Sequence, residues 1–88
     1  MNHHHRKVLH QIFAHPLNPN ISMKDVESVL QEMGATVDTA NSGKIHVALN
    51  GHSANFSRPG HSLPKEEVVQ MRKFIETCGI DPERDYPL

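Results

Sequence analysis

The chain has 88 residues, one domain's worth, with room for a single modest core and too little for two. It lacks Trp and has one Tyr and three Phe, so that core must be mainly aliphatic, and its net charge of −1 excludes an overall basic nucleic-acid binder. One cysteine excludes an internal disulfide framework and fits a reducing compartment, while no apolar run approaches a membrane span, so a cytoplasmic protein with no membrane association is expected.

Met1 to His5, MNHHH, reads as a flexible tail. Consecutive histidines point in different directions, and no carboxylate or cysteine in the run completes a metal site. Arg6 to Ala14 reads as a short helix, with Leu9, Ile12 and Phe13 at i, i+3, i+4. Pro16 stops it, and Leu17 to Asn20 is turn material. Ser22 to Met33 is the best-signalled helix. Ser22 is its N-cap, with Asp25 three residues on as a weak capping box, and Ile21 and Val26 are spaced as a hydrophobic staple. Val26, Val29, Leu30 and Met33 form its apolar stripe, and Gly34 ends it.

Thr36 to Thr39 is a short β-branched run and reads as a first strand, followed by a turn at Asn41-Ser42-Gly43. Lys44 to Ser57 then alternates on both sides of Asn50-Gly51, a pair suited to a two-residue type I′ turn. That turn sets Leu49 opposite His52, Val47 opposite Ala54 and Ile45 opposite Phe56 on a core face. The other face carries Lys44, His46, Ala48, Ser53, Asn55 and Ser57. Arg58 to Ser62 is a loop. Pro64 fits the first turn of a last helix, whose buried stripe is Val68, Met71, Phe74, Ile75 and Cys78 and whose end is Gly79. Cys78 shares that stripe, so it reads as a small core residue rather than a nucleophile. Residues 81–88 read as a polar tail that packs or frays.

The resulting order, α, α, β, β, β, α, implies an α+β two-layer domain: a three-stranded antiparallel sheet with helices on one face and an extra helix at the N-terminus. The domain spans 1–88, with its core at 22–80. The other sheet face is left open.

The chain lacks a Gly-rich phosphate loop, CxxC, HExxH and GxSxG. What remains is the open face. Between Ala40 and Lys65 lie three basic residues (Lys44, Arg58, Lys65), three histidines and no acid, so this region is locally positive. His46 stands two residues from Lys44 on one strand face, Asn55 is its cross-strand partner, and Arg58 follows the hairpin. A histidine beside cations can cleave RNA without a metal or other cofactor. Neutral imidazole takes the proton of a ribose 2′-OH, which attacks the adjacent phosphate, and the cations stabilise the charge that develops. The alternatives are an ordinary wetted strand face and a metal-binding protein using some of the eight histidines.

The segment from Ser22 to Ile80 resembles the HicA toxins of bacterial toxin–antitoxin pairs. The resemblance is carried by KDVESVLQEMG (Lys24 to Gly34), the strand and hairpin that follow, and MRKFIETCGI (Met71 to Ile80). It implies a fold like that of a double-stranded-RNA-binding domain, activity as an mRNA interferase, RNA as substrate and a HicB-like antitoxin as partner. The family's Gly-Ser-His-His motif begins its histidine pair with the catalytic one. Counting from Gly34 without a gap sets Ser42-Gly43-Lys44-Ile45 there, so Lys44 stands where that histidine is expected. Lysine holds phosphate but is a poor general base at neutral pH. His46, two residues along the same face, is the candidate for acid/base work, with Lys44, Asn55 and Arg58 contacting RNA. The alternative is a module that binds RNA or a protein and has lost catalysis with the family histidine.

Overall fold

The structure is a computed structural model that describes residues 1–14, 21–39, 43–57 and 64–88. Seven elements follow in chain order: α1 (His3–Ile12), α2 (Met23–Glu32), β1 (Thr36–Thr39), β2 (Lys44–Leu49), β3 (His52–Ser57), α3 (Lys65–Thr77) and α4 (Pro82–Asp85). The strands form an antiparallel sheet in the order β1-β2-β3, with α2 packed on β1, α3 on β3, and α1 against both helices. This is the α+β arrangement expected, with an extra N-terminal helix and one open sheet face.

The sheet's register is set by its turn. Asn50 and Gly51 have φ values of 52° and 83°, the two positive values of a type I′ turn, which matches the right-handed twist of the strands it joins. Leu49 then pairs with His52, Val47 with Ala54, His46 with Asn55 and Ile45 with Phe56, as the alternation requires. A second contact locks the turn to the helix layer: the Asn50 side-chain amide donates to the carbonyl of Cys78 at 3.0 Å. The Cys78 thiol in turn donates to the carbonyl of Leu49 at 3.3 Å. Cys78 is a buried core residue, and its burial pushes the thiol pKa up.

The core takes Ile45, Val47, Leu49 and Phe56 from the sheet and seals them under Val26, Val29 and Leu30 of α2 and Val68, Met71, Phe74 and Ile75 of α3. Phe56 and Phe74 meet edge to face with centroids 5.8 Å apart. Helices α2 and α3 end alike. In α2 the amide of Ala35 reaches back to Leu30 and that of Gly34 to Gln31; in α3 Ile80 reaches back to Ile75 and Gly79 to Glu76. These paired bonds satisfy carbonyls that the helix ends leave open.

Two expectations are corrected, and the C-terminal segment is found to pack rather than fray. Residues 1–5 are not a tail, because α1 begins at His3 rather than Arg6. The Asn2 side chain accepts from the His5 amide at 2.8 Å and caps the helix, and Val8, Leu9 and Ile12 extend the core beyond 22–80. Residues 81–88 contain α4, which Asp81 caps through the Glu83 amide and which buries Pro82 at its first turn. The capping box at α2 does not form: Ser22 makes no side-chain cap bond, and Asp25 instead faces His4 at 3.3 Å. The stop at Pro16, the turn at Leu17 to Asn20 and the loop from Arg58 to Ser62 lie outside the described residues, as do Asn41 and Ser42.

Candidate functional site

Two-residue alternation turns the three strands into a grid of side chains on the open face. One row runs Thr36, Ala48, Ser53, the next Asp38, His46, Asn55, and the third carries Lys44 and Ser57. All of these are exposed except Ala48, which is half-buried. The intervening residues of β2, Ile45, Val47 and Leu49, are each 4% exposed or less, so the two faces of one strand divide cleanly into core and plate.

His46 is at the centre of that grid. Its Nδ1–H donates to Asn55 Oδ1 at 2.8 Å. A carboxamide oxygen can only accept, so this bond puts the ring proton on Nδ1. The neutral imidazole then keeps its lone pair on Nε2, the form a general base needs. Lys44 lies one row away, about 6–7 Å along the strand from the spacing of alternate residues. Lys44 forms no ion pair among the described residues, so its charge is available to a ligand. Thus His46, Asn55 and Lys44 come together on one face, as the sequence suggests. Arg58 lies outside the described residues.

The residue the sequence reading passed over is Asp38. It pairs with His46 across β1 and β2, so the histidine has a carboxylate on one flank and a carboxamide on the other. The signal was present: folding the chain about Asn41-Ser42-Gly43 sets residue 40 opposite 44, and hence 38 opposite 46. Asp38 makes no ion pair with His46 within 4 Å, yet it places a negative charge beside the plate's only described histidine–lysine pair. It therefore weakens the local positive field.

The N-terminal histidines are used elsewhere. His4 faces Asp25, and His5 Nδ1 donates to Glu32 at 2.7 Å, tying α1 to α2. His10 Nε2 donates to the Tyr86 carbonyl at 2.8 Å, with Glu83 3.7 Å from its other nitrogen, which ties α1 to the C-terminal segment. Among the described residues no group of three or more histidines, cysteines and acids is placed to hold a metal ion. Two grooves among the described residues do not include His46 in their lining. One, of about 410 Å³, is formed by Phe13, the end of α3 and α4; the other, of about 400 Å³, runs between β3 and α3 and reaches the plate at Asn55.

Fold and site together define a small α+β domain with a histidine and a lysine on an open sheet face. No family model matches the chain, and neither a curated protein nor a solved structure is found similar to it.

Proposed function

We propose that the open sheet face binds RNA and that this is a HicA-like toxin, a metal-independent mRNA interferase that works in the cytoplasm and is held in check by a HicB-like antitoxin. The single observation that carries the reading is the bond from His46 Nδ1–H to Asn55 Oδ1, which leaves Nε2 as an exposed acceptor beside Lys44. In this reaction Nε2 takes the proton of a ribose 2′-OH. The freed oxygen attacks the neighbouring phosphorus, and the bond to the 5′-oxygen of the next nucleotide breaks. The leaving oxygen regains a proton from the imidazolium or from water, so the products are a 2′,3′-cyclic phosphate and a 5′-hydroxyl. Lys44, with Arg58, the residue that follows β3 in the sequence, offsets the extra negative charge on the phosphoryl oxygens. The open sheet backed by α2 and α3 is consistent with the double-stranded-RNA-binding-like fold that the HicA resemblance implies.

A second reading is favoured by the sequence: counted from Gly34 without a gap, Lys44 falls where the HicA resemblance expects the catalytic histidine. On that reading the plate binds RNA without cutting it. Induced expression separates the two. The interferase reading expects growth arrest, relieved by a co-expressed antitoxin-like neighbour and by His46→Ala. Arrest that His46→Ala leaves intact, with cellular RNA uncut, removes the enzymatic part.

A further inference from the structure

Among the described residues, no strand pairs with the outer edge of β3. In a two-residue hairpin the turn-flanking pair, Leu49 and His52, exchanges hydrogen bonds, and every second pair after it does the same. His52, Ala54 and Phe56 therefore spend their backbone groups on β2, while the N–H and C=O of Ser53, Asn55 and Ser57 point outward from the sheet. Natural edge strands are usually shielded by shortness, charge, proline or a bulge. The other edge follows that rule, since β1 has four residues and carries Asp38. β3 has six residues, pairs without a bulge, and contains neither a charged residue nor a proline.

What would cover that edge is indicated by its symmetry. The outward positions read Ser53, Asn55, Ser57, the same in both directions about Asn55. The groove beside the strand has a floor of Ala54, Phe56 and Phe74, and its α3 wall presents Glu67, Gln70 and Lys73. That wall carries an acid and a base at equal spacing about Gln70. A twofold axis beside β3 pairs Ser53 of one copy with Ser57 of the other and sets the acid of each α3 wall towards the base of its mate. A surface matched to its own rotated image in both backbone and charge is what an isologous dimer requires.

We propose that two copies of this chain pair antiparallel through their β3 edges, forming a continuous six-stranded sheet. The two open faces then join into one plate, with the two His46 residues in one row, three strand spacings or about 14 Å apart. This pairing is independent of the RNA reading, since it uses edge and groove groups rather than the chemistry of His46.

Sedimentation of the full chain from micromolar to millimolar concentration tests it. The expected mass rises from 9.9 kDa to twice that value. Ser53→Pro removes an outward N–H without touching the β2 ladder, so it leaves the circular dichroism of the parent and abolishes the dimer. Lys73→Glu sets acid against acid and raises the dissociation constant about tenfold or more, and the double swap Glu67→Lys with Lys73→Glu restores it. Should Ser53→Pro unfold the chain, the charge swap alone decides. A parent that stays monomeric throughout overturns the proposal, as does a dimer that the swap series leaves unchanged. A monomer whose β3 amides become protected only when a different protein binds overturns it in favour of strand addition by that partner.

Discussion

Asn50 performs two separable tasks, and substituting it tests how the plate is held in register. Its backbone has a φ of 52°, and its side-chain amide bonds to the Cys78 carbonyl at the end of α3. Asn50→Gly keeps the turn conformation and removes only the hydrogen bond, worth about 0.5–1.5 kcal/mol. Asn50→Ala loses the same bond and also leaves a Cβ in the left-handed region without the local polar contacts that let asparagine adopt it, which adds roughly 1–2 kcal/mol. The expected ranking is parent, then glycine about 1 kcal/mol lower, then alanine about 2–3 kcal/mol lower. For a domain of this size each kcal/mol corresponds to about 4–8 °C in Tm. Urea unfolding followed by circular dichroism reads both values from the shift in midpoint at constant slope. If alanine is no worse than glycine, the turn conformation is not what fixes the hairpin. The consequence reaches the site, because a one-residue slip of β3 would move Asn55 off the plate and leave His46 without its acceptor.

Four further outcomes follow from the same geometry. Ile45→Ala should cost about 2–5 kcal/mol in urea unfolding while His46→Ala stays within about 0.5 kcal/mol, since adjacent residues face core and solvent. Asp85 is held down to about 2 by its bonds to the Arg84 guanidinium and the Asp81 amide, below its ordinary 3.8. A depressed carboxyl pKa stabilises the fold above 3.8 and loses that contribution as pH falls towards 2, and Arg84→Gln should bring the Asp85 midpoint seen by NMR back up. Lys44→Ala should weaken RNA binding and lower the slope of log affinity against log salt by about one. Asp38→Asn should strengthen RNA binding at low salt by removing the negative charge beside His46.

Local rules carried most of the sheet into view before the structure. Asn50-Gly51 and the alternation on either side of it specify the register of β2 and β3, hence His46 opposite Asn55, because turn chemistry and a buried face agree. The apolar stripes of α2 and α3 are equally local. The ends of the chain were not legible in the same way. His3, His4 and His5 are polar and lack the apolar spacing of a helix, and Asp25 and Glu32, the partners of His4 and His5, come from α2, which only tertiary packing brings near. Asn2 as a cap and the Asp81-Pro82 start of α4 were readable signals, hidden by the polar composition around them. Asp38 was hidden differently: the first strand's register follows from the three-residue turn, but its content was not carried across to His46.

Cleavage of a single-stranded RNA by purified parent and His46→Ala protein, without added metal and with DNA of the same sequence alongside, bears most directly on the role of His46. If Nε2 of His46 is the base, the parent cuts only the RNA, leaves 2′,3′-cyclic phosphate ends, and loses about 10²–10⁴-fold in rate on His46→Ala. RNA left intact by the parent, or cut equally well by both proteins, would contradict it.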